Sequence, residues 1–169
     1  KGEAILPALR MELAAGPKSH TLRALAVAMG RHGSDEGLDA LAEASKRSSA
    51  GWDLRADLSA LIESGRWKFA RIAIDVAGDA TLAIARRLAA IEALETWKPA
   101  SNDEARIAVK ALAPMLADKA ETGAATSWGD GVVVKSRVCD VAAQRLAKWF
   151  PADAPFELKA DEAARTKQV

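Results

Sequence analysis

Tyrosine is missing from this 169-residue chain, and tryptophan and phenylalanine contribute only five and three residues. A domain so poor in rings cannot fill its core with large flat side chains and must instead bring backbones close together. Cysteine occurs once, as Cys139, which excludes an intrachain disulfide and a cysteine-cluster zinc site. The two histidines, His20 and His32, stand about 18 Å apart on one expected helix and cannot share a metal ion. Neither sign of charge is in excess: 24 basic and 23 acidic side chains leave a net charge of +1. Such a balance gathers no phosphate backbone, so nucleic acid is a disfavoured partner. No apolar run approaches the roughly 18 residues of a membrane span, since Arg71 and Asp75 interrupt the most apolar stretch, Phe69 to Ala77. No GxGxxG, Walker, GxSxG or HExxH pattern occurs, so no cofactor and no metal are expected. The chain opens at Lys1 with neither a methionine nor a signal-like segment, as expected of a processed protein or a piece of a longer one.

What the chain has is alanine, at 39 positions against 17 for leucine. Apolar residues recur at three-to-four spacing, as in the stripes Ile5, Leu9, Leu13 and Leu22, Leu25, Ala26, Met29. Glycines and Lys98-Pro99 punctuate eight expected helices: 4–15, 20–32, 37–47, 53–64, 67–77, 80–96, 102–118 and 135–149. Ser101 to Glu104 has the spacing of a capping box, and Val132 to Val134 is the one short strand-like run. Residues 151–169 form a tail in which Phe156 is the expected anchor and 160–168 could add a last polar turn.

Eight short helices suit either a closed bundle or an open stack of pairs, and an internal repeat favours the stack. A shift of 32 residues lays Leu22-Arg23-Ala24 on Leu54-Arg55-Ala56, Ala28-Met29 on Ala60-Leu61 and Gly33 on Gly65, with Leu25 on Asp57 as the mismatch. Ile5-Leu6-Pro7-Ala8-Leu9 also reads like Leu112-Ala113-Pro114-Met115-Leu116. With these motifs, residues 1–150 resemble the HEAT-like family of α-solenoids. Its repeats pair a first helix that often carries proline with a second of the form seen in Leu22-Arg23-Ala24-Leu25-Ala26-Val27-Ala28-Met29-Gly30. The segment Arg137 to Ala147 is similar to last-repeat segments of bacterial members. The resemblance implies an all-α solenoid of about four helix pairs and a non-enzymatic module that binds or scaffolds another protein, or a neighbouring domain of its own chain. Between 66 and 98 the pattern departs, because no arginine precedes the small-residue pair.

Two regions are candidate binding sites. The last repeat carries ten extra residues between its helices, since Pro7 to Leu22 spans 15 positions and Pro114 to Cys139 spans 25. The insertion, within 119–135, suits a glycine turn with extended arms, a short hairpin-like loop presenting Trp128, Asp130 and Lys135 to a partner. The alternative is that Trp128 folds back as a lid on the last pair. The second region is the basic group Arg66, Lys68, Arg71, Arg86 and Arg87, where at least one of the adjacent Arg86 and Arg87 is expected in solvent. The family includes DNA alkylation-repair glycosylases with a basic, aromatic-lined face, and that DNA-binding reading is the enzymatic alternative. Against it, Trp52, Trp67, Trp97, Trp128 and Trp149 are scattered, and four of them sit in apolar helical contexts that suit a core. Cys139 beside Asp140 is read as a small buried residue, and the carboxylates Asp35, Glu36, Asp39, Asp103 and Glu104 as helix-start charges.

Overall fold

A computed structural model describes residues 5–48, 51–127, 133–151 and 162–168 of the chain. The described residues form nine α-helices, one 3-10 helix and one two-stranded hairpin, so the protein is mostly helical. In order these are α1 (Leu6–Ala14), α2 (Ser19–Arg31), α3 (Glu36–Arg47), α4 (Trp52–Glu63), α5 (Trp67–Gly78), α6 (Ile84–Ala93) and α7 (Asn102–Leu112). The 3-10 helix Ala113–Ala117, β1 (Glu121–Ser127), β2 (Val133–Arg137), α8 (Val138–Trp149) and α9 (Glu162–Gln168) complete the order. None of the described helices is long and apolar enough to cross a membrane.

Three expected helices change at their ends, each for a local reason. Pro114 cannot donate to the α-helical ladder, so 102–118 divides into α7 and a tighter 3-10 helix. Asp79 accepts hydrogen bonds from the Thr81 amide (2.9 Å) and hydroxyl (2.6 Å), a turn that keeps 79–82 out of the helix expected at 80–96. Residues 133–137 pair antiparallel with β1, Lys135 opposite Ala125, so α8 starts at Val138 rather than at 135. The ten-residue insertion is thus a β-hairpin. At α7 the Glu104 amide donates to Ser101 Oγ at 3.2 Å, and the Glu104 carboxylate accepts from the Ala100 amide at 2.8 Å.

A 32-residue period runs through the buried positions of α2 to α5. The buried positions of α3, namely Gly37, Leu38, Leu41, Ala42 and Ser45, fall 32 residues before those of α5, Phe69, Ala70, Ala73, Ile74 and Ala77. Leu22, Leu25, Ala26 and Met29 of α2 likewise map onto the buried Leu54, Asp57, Leu58 and Leu61 of α4. Gly33 and Gly65, which follow α2 and α4, take φ of 84° and 69°, a conformation that glycine reaches without steric cost. The mismatch in this register, Asp57, is fully buried, accepting from Ser48 Oγ at 2.7 Å and pairing with Arg23 at 3.3 Å. It therefore ties α4 to α2 and to the end of α3.

Packing follows the register. Helices α2, α4, α6 and α8 touch in succession, and α3, α5 and α7 form a second row. Small residues set the spacing: a Cβ added at Gly37 would lie 2.8 Å from Ala26 Cα, and one at Gly78 would lie 3.0 Å from Ala111 Cβ. Met29, Leu61 and Leu146 are buried, while Leu88 is half-buried. Trp67 stacks on Trp97 at 5.9 Å and Trp149 meets Trp97 edge-on at 5.0 Å, donating its indole N–H to the Trp97 carbonyl at 2.9 Å. These three rings join the second half of the chain to α5.

Candidate functional site

Helices α2 and α4 carry two adjoining clefts on the surface. Trp52, the first residue of α4, lies off the Leu54–Leu58–Leu61 stripe and is 77 % exposed. The Arg55 guanidinium sits 6.0 Å from its ring centroid, at the outer limit of a cation–π contact. Trp52, Arg55, Ala56, Ser59, Ala60 and Glu63 line a cleft of about 350 Å³. Ala60 and Glu63 also belong to a neighbouring cleft of about 350 Å³, which continues over Val27, Gly30 and Arg31 of α2. The two together form a groove along α4 toward α2, with an aromatic ring at one end, a small-residue floor and charges of both signs at its rim.

On its other side the groove meets a ladder of paired charges. Arg55 reaches Glu92 at 3.1 Å and Glu95 at 3.7 Å, and Lys148 reaches Glu95 at 3.9 Å. Arg145 of α8 adds a half-buried cation whose Nε has no hydrogen-bond partner among the described residues. Burial draws that guanidinium below the ordinary arginine value, against the opposing pull of Glu95 and Glu92.

The basic group expected as a patch is dispersed among internal partners. Arg66 pairs with Asp35, Lys68 with Asp35 (2.7 Å) and Asp39 (3.1 Å), and Arg71 with Asp75 (2.7 Å). Arg86 donates to the Ser45 and Lys46 carbonyls at 3.3 and 3.4 Å, and to that of Ser48. It therefore caps the end of α3, where free carbonyls attract a cation. Arg87 is buried, donating to the Ala77 carbonyl at 3.3 Å and pairing with Asp118 at 3.5 Å. Of this adjacent pair, of which at least one was expected in solvent, Arg87 is buried and Arg86 is half-buried, and both guanidiniums close helix ends. Of the loop residues, Trp128 and Asp130 lie outside the described residues, as does Phe156. Lys135 is exposed on β2, 3.8 Å from Glu121.

A buried charge cluster holds α9. Asp140 accepts from the Arg137 amide (2.9 Å) and guanidinium (2.7 and 3.1 Å), and from Arg165 of α9. Burial pushes the Asp140 carboxyl up, but hydrogen bonds from Arg137 and the Arg165 charge outweigh that and hold it below the usual carboxylate range. The Cys139 thiol is buried and pushed up, first by desolvation and then by Asp140, so it lacks the thiolate character of a nucleophile. Among the described residues no group of histidine, cysteine, aspartate and glutamate could hold a metal ion.

Trp52 was hidden in the sequence because tryptophans in helical contexts usually enter cores, as Trp67, Trp97 and Trp149 do here. The distinguishing sign was its place directly after Gly51, with the charged Arg55 and the small Ala56 one turn on instead of large apolar residues. No protein-family model, curated protein or solved structure matches the chain.

Proposed function

We propose that the chain is a HEAT-like helical-repeat module of about four pairs (α1–α2, α3–α4, α5–α6 and α7–α8), which binds another protein along the groove of its second helices. The 32-residue period in buried positions supports the repeat, and the succession of contacts along each helix row supports the stack. The single observation that carries the binding role is Trp52. An exposed indole beside a groove with a small-residue floor is the surface from which binding energy is usually drawn, because a rigid ring buries much area at little entropic cost. The balanced charges beside it fit an acidic or basic protein segment less well than a mixed amphipathic one.

The test is selection of a displayed peptide library on the intact protein, followed by measured affinities for wild type and Trp52→Ala. Selected peptides should lose roughly tenfold to a hundredfold in affinity on Trp52→Ala, the range of an aromatic anchor. Circular dichroism should be unchanged, since the ring contributes little to the core. Peptides that bind both proteins equally would overturn the groove reading. Salt-sensitive retention of duplex DNA, with no peptide enriched, would favour the DNA-binding alternative.

A further inference from the structure

Helix α9 is seated by one side chain. Of its side chains that the structure describes, Ala163, Thr166, Lys167 and Gln168 are exposed and Ala164 is half-buried, while Arg165 is only 5 % exposed. A seven-residue helix without an apolar stripe has no stability of its own, so the buried Arg165 guanidinium is its main anchor. A hydrogen bond from Arg137 to Thr166 Oγ1 at 3.0 Å supports it.

What receives Arg165 is built without α9. Asp140 is fully buried in the first turn of α8, where its carboxylate takes three hydrogen bonds from Arg137, one from the amide at 2.9 Å and two from the guanidinium at 3.1 and 2.7 Å. Asp140 Oδ2 also accepts from Arg165 Nη1, and the Lys135 carbonyl of β2 stands 3.5 Å from the same nitrogen. Strand β2 runs directly into α8, so the hairpin and the helix together fix the carbonyl and the carboxylate. Two acceptor oxygens in a buried place suit a cationic N–H donor, and a guanidinium is the cation that sheds its water most readily.

Arg165 fills this site incompletely. Arg137 spends two guanidinium nitrogens on Asp140, whereas Arg165 engages it through Nη1 alone. The Arg165 Nε is buried with no hydrogen-bond partner among the described residues, a desolvation that nothing offsets. The resident arginine is therefore replaceable, because the receiving oxygens belong to β2 and α8 and the rest of α9 buries little.

We propose that Asp140 and the Lys135 carbonyl form a binding site for an arginine side chain of a partner protein, with α9 as the built-in competitor that fills it until the partner's arginine takes its place. A second copy of this chain is the poorer source. Its α9 would make the same contacts as the resident one, which membership of the same chain holds at an effective concentration of about the millimolar range, so exchange gains nothing. A partner segment gains by running on along the hairpin, where Glu121, Gly123 and Lys135 are exposed beside the site.

The test uses the intact chain carrying Arg165→Ala, which removes the resident guanidinium and leaves β2 and α8 unaltered. A fluorescein-labelled peptide of residues 162–168 should bind it saturably in fluorescence anisotropy, and should bind the wild type roughly tenfold or more weakly, since α9 competes there. Replacing the peptide's Arg165 by citrulline keeps the shape and removes the charge, and should weaken binding roughly tenfold or more; Arg165→Lys in the peptide should weaken it as well. Ethylguanidinium should raise the Tm of the Arg165→Ala protein, and ethylammonium should leave it unchanged. Selection of a displayed random peptide library on the same variant should enrich arginine at one fixed position. The enriched peptides should shift the Ala164 methyl resonance of the wild type as α9 leaves. Trp52→Ala should alter none of these results, which separates the site from the groove. Equal binding of the citrulline peptide, a library without enriched arginine, global unfolding of Arg165→Ala, or a wild-type dimer in sedimentation that Arg165→Ala abolishes would each overturn the proposal.

Discussion

Leu61→Ala is the perturbation that most directly tests the packing. Leu61 is fully buried on α4, which has α2, α3, α5 and α6 against it. Truncation to alanine removes the transfer energy of the lost carbons and leaves a cavity, together costing about 2–5 kcal/mol in buried leucine sites. Four neighbouring helices leave little freedom to collapse, which places this site at about 3–5 kcal/mol. A domain of this size loses roughly 2–4 °C in Tm per kcal/mol, so the midpoint should fall by about 6–20 °C. Urea denaturation followed by circular dichroism would give the same loss with an unchanged m value. Met29→Ala, in the same register one repeat earlier, should cost nearly as much. Leu13→Ala, half-buried on α1, should cost clearly less. An unchanged midpoint for Leu61→Ala, or a larger loss for Leu13→Ala, would refute the account of two interlocked helix rows.

Asp140→Asn leaves Arg137 and Arg165 facing each other without the buried carboxylate, at a cost of about 3–5 kcal/mol, and limited trypsin digestion should then cut at Arg165, which the wild-type fold protects. Because the folded Asp140 pKa lies below the unfolded one, its contribution is present above about pH 3.9 and is lost as pH falls through the lower folded value. Acid-induced release of α9, read by the same cleavage with an acid-active protease, should therefore begin only below that pH. Gly78→Ala should overpack the α5–α7 seam by about 1–3 kcal/mol, measured as a fall in the urea midpoint. Cys139 should react with a thiol reagent at pH 8 far more slowly in the native protein than in urea, because burial keeps it protonated and covered.

The helical fold was legible because its signal is periodic, and periodicity survives in a single sequence. The stripes of α2 and α4 announce both the helices and, through their common shift, the repeat. The errors sit where a local hydrogen bond competes with periodicity. Asp79 holds its turn through Thr81, Pro114 converts the end of α7 into a 3-10 helix, and Lys135 pairs in a strand although its neighbours continue a helical pattern. The hairpin itself was foreshadowed by length, since ten surplus residues in a compact repeat must leave the helical register somewhere.

The surface was legible to a lesser degree, and the reason lies in the ambiguity of charge and aromatic residues. Arg86 and Arg87 look like a ligand site when counted along the chain, but the fold brings the carbonyl ends of α3 and α5 to them, and closing those ends is the cheaper use of a guanidinium. Arg66 and Lys68 meet Asp35 and Asp39 across the α3–α5 seam, a pairing separated by some 30 positions that no local window reveals. Trp52 and Ile5 illustrate the converse. Each is a large apolar residue of a type that usually enters a core, and each is exposed because of its place in the fold: Trp52 off the buried stripe of α4, Ile5 at the start of α1, a helix with no buried residue. Comparison of positions 32 residues apart therefore says more about this surface than composition does.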